Sequence, residues 1–166
     1  MRSLTFTSRR TAIAIVFLLL CGGTLVLATR AEGETDIRIA GIIRSHVVTP
    51  EEGCESPVGV CLEGNFYGSL NGPNEAVGTL VEGPFENGVI FGQSHVVVHD
   101  RRGDLFCTSS SSFDIAEDGN GHPFSDLCII TGGTGHWEGA EGWFHTFGNG
   151  SANGNAAEYR GTIRLP

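Results

Sequence analysis

From residue 36 onward, apolar and polar side chains alternate between regularly spaced breaks, the period-two pattern of strands with one dry and one wet face. Ile37, Ile39, Gly41 and Ile43 share one face of the first run, and Arg38, Ala40, Ile42 and Arg44 share the other. In the next clear run Val89, Phe91, Gln93, His95, Val97 and His99 alternate with Ile90, Ser94, Val96 and Val98. Residues 100–104 read as a turn, and residues 105–115 run back with Cys107, Phe113 and Ile115 on one side. A polar stretch at 117–121 leads to a strand at 127–130. The last run sets Tyr159, Gly161, Ile163 and Leu165 against Glu158, Arg160, Thr162 and Arg164. Gly and Asn punctuate these runs every ten residues or so, and no helical period appears among them. The pattern predicts an all-β fold of about eight antiparallel strands with the spacing of a sandwich or a barrel; a single antiparallel closed barrel is the expectation, since closure also removes unpaired sheet edges.

The N-terminus follows a different pattern. Arg2, Arg9 and Arg10 form a basic segment, and an uncharged stretch runs from Thr11 to Thr29 with its apolar centre at residues 12–20. Small residues at Val26/Ala28 or Thr29/Ala31 complete the three-part layout of a secretory signal. Residues 1–31 are therefore expected to be a signal peptide and residues 32–166 the barrel domain. The rival is an uncleaved anchor, because the uncharged run just reaches the roughly 18–20 residues that span a bilayer. The Gly22-Gly23 pair and the small-residue exits favour cleavage, and contact with a membrane is expected only if the signal is kept.

Charge and cysteines follow from that division. Removing residues 1–31 takes four of the ten arginines and none of the 19 acids, leaving a formal charge of −13 on a chain without lysine. Such a surface repels phosphate backbones, which argues against nucleic acid as a partner. Cys54, Cys61, Cys107 and Cys128 remain, an even number that reads as disulfides in an exported protein. Three pairings are possible; Cys54–Cys61 and Cys107–Cys128 are favoured because each joins neighbouring segments. With no Cys-x-x-Cys spacing, zinc is the weaker reading. The expected location is extracellular or in the cell envelope.

Few constellations in the chain suggest chemistry. His95 and His99 resemble a metal pair, but four residues apart on a strand their Cα atoms lie about 13 Å apart, too far to share one zinc. Ser94 lacks the second glycine of a nucleophile elbow, and the run of serines at 109–112 has no evident activating partner. Residues 132–135 lack the lysine and the following helix of a phosphate loop. Asp114, Glu117, Asp118, Asn120 and Asp126 cluster around a turn, but without the spacing of a calcium-binding loop. No metal and no cofactor is expected. Trp143, His145 and Phe147 share one strand face; with Tyr159, His95 and His99 they are the candidate lining of a small-molecule site in the barrel. The alternative is that the rings simply fill it, since eight-stranded barrels are just wide enough to be packed solid or to hold one small ligand.

The segment Ile130-Thr131-Gly132-Gly133-Thr134-Gly135-His136-Trp137-Glu138-Gly139-Ala140-Glu141-Gly142 resembles the "ITGGTG-aromatic-x-GA-x-G" stretch of the allene oxide cyclase/dirigent-like β-barrel superfamily, most closely its small secreted bacterial members. Tyr159-Arg160-Gly161-Thr162-Ile163 is similar to their closing strand, and Gly103-Asp104-Leu105-Phe106 to an earlier one. The resemblance implies an eight-stranded antiparallel barrel, often trimeric in the plant members, so a homo-oligomer is among the expectations. It also implies a lumen in which plant relatives cyclise a fatty-acid epoxide or steer phenoxy-radical coupling. Gly132, Gly133, Gly135, Gly139 and Gly142 read as scaffold, suited to bends and close strand approach. The expected function is a secreted barrel, more a binder of a small apolar or aromatic ligand than an enzyme. A cofactor-free cyclase or isomerase is the first alternative, and an envelope-anchored interaction protein the second.

Overall fold

The computed structural model describes residues 35–114, 122–151 and 154–166. Among them, eight strands run as β1 (Thr35–Val48), β2 (Cys61–Gly68), β3 (Gly72–Glu82), β4 (Val89–Asp100), β5 (Gly103–Asp114), β6 (His122–Gly133), β7 (Glu141–Ser151) and β8 (Gly154–Leu165). Each pairs antiparallel with the next, and β8 returns to β1 to close the barrel. Short 3-10 turns at Pro50–Glu52 and Gly135–Trp137 are the described helical segments.

Directly paired residues share a face, so the register shows which side of each strand looks inward. Ala76, Val96, Cys107, Ile130, Gly142 and Ile163 follow one another across the ladder from β3 to β8, all on the inner face. Two irregularities interrupt the register, at Gly78/Leu80 in β3 and where Phe106/Cys107 meets β6. At the second, Gly132 and Ile130 pair while Thr131 is extra, a bulge that bends the wall.

One end of the barrel is filled. Phe66, Phe144 and Tyr159 meet in edge-on and tilted contacts with centroids 5.0–6.1 Å apart, above Leu70, Val98, Leu105, Trp137 and Ile163. Glycine makes room for these rings. A Cβ on Gly41 would lie 2.6 Å from the Tyr159 ring, and one on Gly161 2.6 Å from the Phe144 Cβ. Cys54 is bonded to Cys61 and Cys107 to Cys128, with Cα atoms 5.6 and 5.8 Å apart. The first ties the 49–60 link to the wall. The second staples β5 to β6 inside the barrel, both its cysteines being buried. Disulfides of this kind fit an oxidising, extracytoplasmic environment.

Polar groups seal the filled end. Asp100 accepts hydrogen bonds from the Asn71 amide (3.0 Å), the Arg102 amide (3.0 Å) and Arg102 Nε (2.7 Å). Arg102 also donates to the Ser69 carbonyl and lies over Trp137, 4.4 Å from the ring centroid. The Tyr159 hydroxyl accepts from the Leu70 amide (2.9 Å) and donates to the Leu70 carbonyl (3.2 Å). Burial pushes the Asp100 carboxyl upward, but the hydrogen bonds from Arg102 and Asn71 outweigh it and hold the group below the usual carboxylate range.

Candidate functional site

Toward the other end the inward positions become small. Ala76, Gly78, Gly92, Ser94, Ser109 and Ser111 stand where the filled end carries rings, and they leave a cavity of about 310 Å3. Its floor is Phe66 and Phe144; its rim includes Val60, Leu80, Val81, Ile90, Phe113 and Phe124. Phe113 and Phe124 stack with centroids 5.5 Å apart. The links at 49–60 and 83–88 join strands at this end.

One charged side chain among the described lining residues projects into this apolar space, and it is Asp126. The carboxylate sits on β6 between Ser111 of β5 and Thr146 of β7, its direct ladder partners. Burial raises its pKa to about 6, an effect that a hydrogen bond from Ser109 only partly offsets. Ser109 is in turn bonded to Ser94 across a 2.7 Å contact. The Asp126 Oδ1 atom has no hydrogen-bond partner, and neither do Thr146 Oγ1 and Asn74 Oδ1. Thr146 and Asn74 are 4% and 5% exposed and both line the cavity. Buried polar atoms left unpaired cost free energy, so two acceptors and a hydroxyl lining one cavity mark places where a ligand's polar groups would be bound. The combination of an apolar pocket, a few convergent polar groups and a perturbed carboxyl is the usual form of a small-molecule site.

The residues singled out from the sequence are distributed differently. Tyr159 faces inward but lies in the filled end, beneath the cavity and absent from its lining. Trp143, His145 and Phe147 pair with Ile129, Leu127 and Ser125 on the outer face, and Trp143 is 46% exposed. His145 Nε2 lies 2.7 Å from Ser125 Oγ, and Arg160 covers the Phe147 ring at 4.7 Å. His95 is exposed, opposite Thr108. His99 is bonded to Asp104 at 2.8 Å, also outside the barrel. These five therefore do not line the lumen. The physical reason is in β7, where the two faces carry equally plausible rings. Phe144 faces inward because Gly161 lies opposite it and leaves room, whereas Trp143 is opposite Thr162.

The acidic cluster also separates. Asp126 faces the lumen, while Glu117, Asp118 and Asn120 lie outside the described residues. Gly132 and Gly133 end β6, Gly135 opens the 3-10 turn, and Gly139 and Gly142 lead into β7. Gly142 has φ +132° and a Cβ there would meet the Thr162 carbonyl, so close strand approach requires it. Among the described residues no group of three metal-capable side chains converges.

The signal for Asp126 was an acid at an even position of β6, the same face as Phe124, Cys128 and Ile130. An acid in register with three apolar side chains is the exception that burial turns into a site.

No family model matches the chain, and no curated protein matches it. Among solved structures, that of a pterocarpan synthase dirigent protein is similar over 80% of this chain and 86% of that one, with 12% identity and a TM-score of 0.36.

Proposed function

We propose that this is an exported barrel whose lumen binds a small, mainly apolar molecule. The observation that carries this reading is the 310 Å3 lumen cavity with apolar walls and unpaired acceptors at its side. A packed interior would have argued against it. The volume, near the lower end of the usual 300–1,000 Å3 range, suits one or two fused rings. Export is supported by the signal-like N-terminus and by the two disulfides. Native mass spectrometry of the protein, recovered undenatured from the cells that make it, tests both parts. The expected result is a chain lacking residues 1–31 that carries a small-molecule adduct, and an Ala76→Phe variant that lacks the adduct. A protein that is empty from the start overturns the binding reading; an intact N-terminus overturns cleavage and favours an anchor.

A second reading is favoured by Asp126. A carboxyl that titrates near 6 inside an apolar lumen is suited to exchange a proton with a bound substrate near neutral pH. This is the cofactor-free cyclase or isomerase that the sequence resemblance suggests, with the walls folding the substrate. Turnover of a candidate substrate that survives Asp126→Asn overturns it.

A further inference from the structure

The chemistry around Asp126 narrows the ligand further, resting on the reading that the lumen binds small molecules. Among the described lining residues the cavity has a carboxylate and no arginine or histidine, and the chain has no lysine. Among the described residues that line the cavity, the buried polar atoms left without partners are Asp126 Oδ1, Thr146 Oγ1 and Asn74 Oδ1 (Trp137 Nε1, also without one, lies in the filled end), and an ionised carboxylate and an amide oxygen only accept. Asp126 and Thr146 are direct partners across β6 and β7, so their side chains stand about 5 Å apart at Cβ, close enough for one donor to reach both. We propose that the lumen selects a small organic cation, an amine on an aromatic body, whose ammonium is held by Asp126 and Thr146 while its ring lies against Phe66, Phe113 and Phe144.

The electrostatics separate this class from its neighbours. An ammonium forms charge-assisted hydrogen bonds to Asp126 and cancels a charge that the apolar walls otherwise leave uncompensated. An alcohol of the same shape supplies one neutral donor. A carboxylate of the same shape meets like charge and finds no cation, which discriminates against it as strongly as the attraction favours the amine. The side chains facing Asp126 from the flanking strands are Ser109, Ser111 and Thr146, none of which titrates in the working range. His122 lies on the same face of β6, about 13 Å nearer the rim, with its ring bonded to the Asp114 carbonyl. Protonation of Asp126 thus governs the pH dependence.

The test is calorimetric titration of the folded, disulfide-bonded protein at pH 7.5 with tryptamine, tryptophol and indole-3-acetate. Tryptamine should bind at least tenfold tighter than tryptophol, with indole-3-acetate weakest. Asp126→Asn should cost tryptamine at least tenfold and change tryptophol less than threefold. Thr146→Val should weaken tryptamine several-fold. Wild-type affinity for tryptamine should fall as the pH drops below about 6, where Asp126 gains its proton. If tryptophol or indole-3-acetate binds as tightly as tryptamine, or if Asp126→Asn leaves tryptamine unaffected, the cation assignment fails while a small-molecule lumen stands. If none of the three binds, the lumen reading fails and takes this assignment with it.

Discussion

The two ends of this barrel share one wall and one ladder, yet one is solid and the other hollow. At the solid end, Phe66, Phe144 and Tyr159 fill the bore because Gly41 and Gly161 yield the space their rings need. At the hollow end, the inward positions of β3, β4 and β5 at mid-wall are Ala76, Gly78, Gly92, Ser94, Ser109 and Ser111, and the Phe113–Phe124 pair stands at the rim, leaving the room between unfilled. Each end holds a carboxylate with at least one oxygen shielded from solvent. Asp100, with a side chain 1% exposed, is fully partnered and its pKa is lowered. Asp126 has a bare oxygen and its pKa is raised to about 6. One region is built for stability; the other gives up packing to keep a cavity beside a carboxylate.

The largest test of that contrast is packing. Phe144→Ala should lower the unfolding free energy by about 3–5 kcal/mol, while Phe124→Ala at the rim should cost less than about 1 kcal/mol. Equal losses in urea denaturation would mean that the ends are alike. Next is the internal staple: replacing both Cys107 and Cys128 with Ala should cost about 3 kcal/mol, and the shorter Cys54–Cys61 loop about 2 kcal/mol.

Asp100→Asn should cost about 2 kcal/mol at neutral pH, since it removes the charge from hydrogen bonds to a buried group. The folded carboxyl holds its proton less tightly than the unfolded one, so this contribution is present above pH ~4 and is lost as pH falls through the folded value. The cost of the substitution should therefore shrink in acid, as followed by pH-dependent denaturation. Asp126→Asn should have a modest effect of the opposite sign, a gain of about 1–2 kcal/mol at pH 7.5. Here the folded pKa of about 6 exceeds the ordinary aspartate value, so the folded state takes up a proton first and wild type gains stability as pH falls from about 7 to 4. The advantage of the Asn variant should fade over that window. A variant no more stable than wild type at pH 7.5 would show that Asp126 is not strained by its surroundings.

The alternation in residues 37–44, 89–99 and 158–165 was sufficient to predict strands and their antiparallel pairing, because a period of two leaves a chain few other ways to bury one face; closure was expected from the cost of unpaired edges and from the family resemblance. Cysteine spacing pointed to the two disulfides for a similar local reason: each pair sits on segments that a hairpin or short link must bring together. What alternation leaves open is which face of a strand turns inward when both carry large side chains. In β7 the choice between Phe144 and Trp143 rests on Gly161, a residue on another strand, and it moved His145 and Phe147 outside along with Trp143. The same register turned Asp126 from one acid in a polar loop cluster into the one charged side chain among the described lining residues. Sequence periodicity determined the barrel; the cavity and its acid were decided by volume and register between strands far apart in the chain, because whether a bore is full depends on what stands opposite each side chain.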